Sequence, residues 1–128
     1  MLDKSKAAHS LFKLLDACTQ CRQIFHASAA TLTDEVHKKL VDTIHQKLDQ
    51  FGIELRNEIR RLGDADLDQL RFESLQENSC GRALRRMLDY YDQAFKSPLR
   101  PHTRAMLTRQ YTDLHQIYRY INWLDRAA

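Results

Sequence analysis

The chain has 128 residues, of which 43% are hydrophobic and 29% charged, with three glycines, two prolines and three cysteines. That length and apolar content suffice for one domain, residues 1–128, with a continuous core and no need of disulfide or metal staples. Sheets with many hairpins need glycine and proline at their turns, so the scarcity of both excludes a hairpin-rich fold and favours long helices joined by short loops.

The formal net charge of +3 does not mark a nucleic-acid binder. Its distribution is uneven: residues 1–80 hold 11 Lys and Arg against 13 Asp and Glu, whereas residues 81–128 hold 9 against 4. Arg82, Arg85, Arg86, Arg100, Arg104 and Arg109 in the basic part read as solvated helix faces, the usual place for charge on a bundle. Nowhere is there a run near the ~20 apolar residues of a membrane span. Asp3, Lys4, Lys6, His9, Lys13 and Asp16 break up the early apolar region, so no secretory signal is expected. Three cysteines cannot all pair within one chain, which agrees with a cytoplasmic location.

The first apolar stripe passes through Leu11, Leu14, Cys18, Cys21 and Phe25 in steps of three and four, predicting a helix over residues 4–29. Thr31, Thr33, Asp34 and Glu35 supply caps and acids for the start of a second helix, 33–62, with the stripe Leu40, Ile44, Leu48, Phe51, Leu55, Ile59 and Leu62. Gly63 is suited to ending it. A third helix, 66–96, uses Leu67, Leu70, Leu75, Leu84, Met87, Tyr91 and Phe95, with a bend expected around Ser79 to Gly81. Pro98 and Pro101 force a break, and Pro101 suits the first turn of a fourth helix, 101–126. Its stripe takes Met106 or Leu107, then Tyr111, Leu114, Tyr118, Ile121 and Leu124. Short connections make antiparallel neighbours the natural packing. The expected architecture is an all-α, antiparallel four-helix bundle.

Three runs carry a resemblance. Leu14 to Cys18 (LLDAC), Phe51 to Gly63 (FGIELRNEIRRLG) and Leu99 to Tyr111 (LRPHTRAMLTRQY) resemble, in order along the chain, an uncharacterised bacterial family of ferritin-like four-helix-bundle proteins. The resemblance covers most of helices 1, 2 and 4, and less of helix 3. It implies a ferritin-like fold, in which metal-holding members place one carboxylate on each of two helices and a Glu-x-x-His pair on each of the others. Iron needs such anionic oxygens to replace its water. Here Arg22 and Gln23 stand where the resemblance leads one to expect acids in helix 1, and Leu84 and Arg85 stand in the corresponding acidic segment of helix 3. Helix 4 offers Asp113, but Tyr118 stands at the downstream position where a histidine is sought, and His115, two residues on, points about 200° away around the axis. Glu54 and Glu58, four apart, can share an inward face or pair with surface cations.

The other candidate chemistry is Cys18-x-x-Cys21, which reads as core filling, with Cys80 and His26 as the nearest further ligands for a soft metal or redox site. Among the histidines His9, His26, His37, His45, His102 and His115, none lies four residues from another, and most should be surface residues. No Ser, Cys or Lys sits in a recognisable catalytic motif, and phosphate-binding glycine loops are lacking. Tyr90, Tyr91, Tyr111, Tyr118, Tyr120 and Trp123, interspersed with Arg86, Arg109 and Arg119, favour a protein-contact surface, with Tyr111, Tyr118, Arg119 and Trp123 as its residues. The expectation is thus a non-catalytic bundle that meets a protein partner or a second copy, with a degenerate metal site, no cofactor and no nucleic acid. The alternative is a metal-binding or redox bundle, holding iron, copper or zinc through Glu54, Glu58 and Asp113 or through Cys18 and Cys21.

Overall fold

In the computed structural model, which describes residues 4–62 and 80–127 with the side chains of 6–62 and 80–121, the chain forms four α-helices: α1 Lys4–Thr31, α2 Glu35–Leu62, α3 Cys80–Phe95 and α4 Pro101–Ala127. No strand occurs among the described residues. The part of the expected third helix before Cys80, with Leu67, Leu70 and Leu75, lies outside them, as do Gly63, Ser79 and the Trp123 side chain. No described helix is long and apolar enough to cross a membrane.

Helix boundaries follow from local chemistry. Asp34 caps α2: its Oδ1 accepts from the Val36 amide at 2.9 Å, and its carbonyl accepts from the Lys38 amide at 2.9 Å. That moves the start from the expected residue 33 to Glu35, because a carboxylate at position 34 both reaches the free amides and complements the helix dipole. Thr31 instead closes α1, donating its hydroxyl to the Ser28 carbonyl at 2.9 Å. Pro101 opens α4 as expected, where its missing amide proton costs no hydrogen bond. Gly81 lies within α3.

The apolar stripes meet in one core. Leu11, Leu14, Leu15, Cys18, Cys21 and Phe25 of α1 pack with Ile44, Leu48, Phe51, Leu55 and Ile59 of α2. Leu84, Met87 and Tyr91 of α3 and Leu107, Leu114 and Ile121 of α4 complete it. Between the two candidates on α4, Leu107 is buried and Met106 is half-buried. On α2, Val41 is more deeply buried than the expected Leu40. Leu99, in the break between α3 and α4, closes one end of the core.

Contacts pair the helices around a square. α1 packs along α2 and α3, α4 packs along α3, and α2 meets α4. Between α1 and α2, Arg22 reaches Asp49 and Cys18 reaches the Leu48 carbonyl. Between α1 and α3, Ser28 bonds Cys80, and Ser10 bonds Ser97 just past the end of α3. Between α3 and α4, Arg104 reaches the Phe95 carbonyl and Tyr91 reaches Gln110. Between α2 and α4, Lys47 faces Asp113, Glu54 faces Arg109, and Glu58 faces Thr103.

Candidate functional site

The seam between α2 and α4 holds most of the chemistry. The buried stripe Phe51, Leu55, Ile59 and Leu62 sets the rotation of α2, leaving Glu54 and Glu58, one turn apart, on the flank toward α4. Glu58 is only 3% exposed. Its Oε1 accepts from Thr103 Oγ1 at 2.7 Å and from Arg61 Nη2 at 3.2 Å, and its Oε2 lies 3.6 Å from His102 Nε2. A buried carboxylate is tolerable only when donors replace its water, and here a buried hydroxyl and a guanidinium do so.

Glu54 is the second member. Its carboxylate is held by the Arg109 guanidinium and accepts from Gln110 Nε2 at 3.2 Å. Gln110 is fully buried, and its Oε1 accepts from the Tyr91 hydroxyl at 2.6 Å. A continuous chain therefore runs from Tyr91 on α3 through Gln110 on α4 to Glu54 on α2. Burial, with a smaller contribution from the nearby Glu54 charge, pushes the Tyr91 phenol well above its ordinary pKa and keeps it a neutral donor. No buried side-chain nitrogen or oxygen among the described residues lacks a partner.

Beside this seam lies an open cleft of about 560 Å³, lined by Glu54, Glu58, Arg61, His102, Met106 and Arg109 among others. Apolar stems form part of its wall and alternating charges surround it. The described arrangement can bind and orient, but each carboxylate within it is already engaged by protein donors.

The remaining sequence candidates are dispersed. Asp113 lies 3.7 Å from Lys47 Nζ, and His115 is exposed with its ring 6.0 Å from that of Tyr111. Arg22 forms an ion pair with Asp49 at 2.6 Å and Gln23 is exposed, so neither reaches the bundle centre. The buried polar side chain on that part of α1 is Gln20. Leu84 is core and Arg85 faces solvent beside Asp89. Among the described residues no three His, Cys, Asp or Glu side chains group as a metal-ligand set.

Cys18 and Cys21 are both buried, as core filling requires. Cys18 Sγ donates to the Leu48 carbonyl at 3.1 Å, and burial, with the nearby Asp49 charge adding, pushes its thiol up to about 12 against the opposing Arg22 and Arg56. Burial likewise raises Cys21 well above its ordinary value. Metals and electrophiles need the thiolate, which this environment disfavours. Cys80 is half-buried, 3.3 Å from Ser28 Oγ.

The expected contact residues divide. The Tyr111 ring packs edge-on against Tyr91 and Phe95, with centroids at 6.1 and 5.8 Å, so it serves the α3–α4 seam. Its hydroxyl is raised from its usual pKa by desolvation and by Asp92, to which it bonds. Tyr118 is half-buried, Arg119 is exposed, and the Trp123 side chain lies outside the described residues. Tyr120, named among the rings of this half but not among the four contact residues, is 46% exposed next to Arg119. Sequence reasoning also missed Gln110 and Thr103 as seam residues. The available signal was their position on the α4 face that carries Leu107 and Leu114, where a polar residue needs a buried partner. No protein-family model, curated protein or solved structure matches the chain.

Proposed function

We propose that this chain is a non-catalytic, ferritin-like bundle that works by binding another protein or a second copy of itself, and that its α2–α4 seam is a degenerate metal site converted into a structural polar network. The ferritin-like reading is supported by the register of contacts. Residue numbers fall on one helix as they rise on the other in the contacts His26–His45 and Leu15–Gly52 of α1–α2 and in those of α1–α3, α3–α4 and α2–α4, which supports reading each neighbouring pair as antiparallel. α2 and α3 then lie diagonally and run the same way, as in bundles with one long crossover connection. A cytoplasmic setting is supported by three cysteines that stand as thiols and not as disulfides.

The observation that carries the degenerate-site reading is the occupation of both inward carboxylates by protein: Glu58 by Thr103 and Arg61, Glu54 by Arg109 and Gln110. A cation entering there would displace two guanidinium groups and strand a buried hydroxyl and amide. The contact surface proposed is the exposed face of α4 around Tyr118, Arg119 and Tyr120, extending toward Trp123. A metal-binding reading retains one observation in its favour, that Glu54, Glu58 and His102 line the same open cleft.

Elemental analysis of the purified chain, combined with sedimentation across a concentration series, tests both parts. The expectation is less than stoichiometric iron or manganese, with association or partner capture that weakens in Arg119→Glu and Trp123→Ala while the helical content stays unchanged. Stoichiometric metal lost in Glu54→Gln would establish the metal-binding reading instead. A monomer at every concentration, with no partner dependent on Arg119 or Trp123, would remove the interaction reading.

A further inference from the structure

We propose that His26 of α1 and His45 of α2 form a two-imidazole site for a zinc-class divalent ion on the outer face of the α1–α2 seam, separate from the α2–α4 carboxylates. The two rings come from different helices, and their centroids lie 5.5 Å apart with planes inclined at 44°. His26 is exposed and His45 half-buried, so both are accessible from solvent.

The separation is the argument. With Zn–N bonds of ~2.0–2.1 Å and a ring about 1.2 Å in radius, two imidazoles on one tetrahedral ion have centroids about 5.2 Å apart. On adjacent corners of a square-planar copper or nickel ion the same construction gives about 4.5 Å. The observed 5.5 Å is close to the tetrahedral value, so the proposed site requires the two rings to turn a nitrogen each toward one ion without the helices moving apart. The Cys18 bond to the Leu48 carbonyl and the Arg22–Asp49 pair fix the spacing of the two helices that carry the rings before any ion arrives, which lowers the ordering cost of binding. With two protein donors, the remaining coordination positions fall to water or to a donor from an approaching partner, and the expected affinity is modest. The sequence hides the pair: 18 residues lie between the two histidines, and neither has a second histidine at helical spacing. Bound zinc would tie α1 to α2 near the end of the bundle where those two helices connect.

The full chain, treated with a chelator and dialysed, is titrated with zinc chloride and followed by calorimetry and thermal unfolding. One equivalent of zinc should bind, with a saturable rise in Tm on the order of 5 °C at a large excess over Kd. His26→Gln and His45→Gln should each reduce the affinity at least tenfold without changing the metal-free Tm by more than a degree or two, since both side chains reach solvent. Cys80→Ser and Glu54→Gln should bind as the unmodified chain does. Zinc binding that is unchanged in both histidine variants, or no binding by the unmodified chain, overturns the proposal. Binding lost in Cys80→Ser or Glu54→Gln instead overturns it too, and the Glu54→Gln outcome alone also counts against the degenerate-site reading of the α2–α4 seam.

Discussion

The α1–α2 seam and the α2–α4 seam share one helix yet are built from opposite materials. Toward α1, helix α2 presents Leu48, Phe51 and Leu55 to Leu11, Leu14, Leu15 and Cys18, and the polar contact at its centre is a neutral thiol on a carbonyl. Toward α4 it presents Glu54 and Glu58 to Arg109, Gln110 and Thr103. The first seam draws on apolar burial, which is non-directional and tolerant of small shifts. The second depends on matched donors and acceptors, so it specifies register while adding little net stability.

The comparison can be broken most severely with alkali. Cys18, Cys21 and Tyr91 are neutral when protonated, and burial raises all three above their ordinary values of 9.0 and 10.0. Stability from this source is complete below those ordinary values and is lost as pH rises toward the folded ones, because only the unfolded chain releases the protons. Each group contributes a slope of about 1.4 kcal/mol per pH unit in that window. Urea midpoints should therefore be flat near neutrality and fall steeply above pH 9 to 10. Cys18→Ala should fall less steeply; an equal slope would mean that Cys18 does not carry its share.

Truncating the apolar seam comes next. Leu55, fully buried, should lose ~2–5 kcal/mol on replacement by alanine, read from urea unfolding, through lost transfer energy and an unfilled cavity. A loss below 1 kcal/mol would contradict its place at the centre of the core.

For the polar seam the expected losses are smaller and coupled. Gln110→Leu strands the Tyr91 hydroxyl and should cost ~1–3 kcal/mol, while adding Tyr91→Phe should recover part of the loss, since an apolar pair replaces an orphaned donor. Likewise Glu58→Gln and Thr103→Val should be non-additive in a double-mutant cycle. Strict additivity in both pairs would show that the network is not a unit.

The smallest effect has the opposite sign. A Cβ built on Gly52 meets Cys18 Sγ and Leu15 Cδ1 at 4.0 Å each, an ordinary contact, and the residue is helical. Gly52→Ala should thus raise stability by ~0.5–1 kcal/mol through helix propensity alone. A fall in Tm would indicate that the α1–α2 seam is tighter than its contacts imply.

Much of this bundle was determined by the sequence itself. Steps of three and four at Leu11–Leu14–Cys18–Cys21–Phe25 and at Ile44–Leu48–Phe51–Leu55–Ile59 identify helices and their buried faces, because burial and the helical repeat act on neighbours along one chain. Pro101 and the acids at 34–35 mark starts for equally local reasons. Periodicity names a face but not the helix opposite it. Only tertiary packing decided that Glu58 meets Thr103 across 45 residues, that Gln110 joins Tyr91 to Glu54, that Arg22 turns outward, and that His26 lies beside His45. Those pairings depend on helix rotation and on which helices are adjacent, and both are set by the joint packing of four apolar stripes into one core.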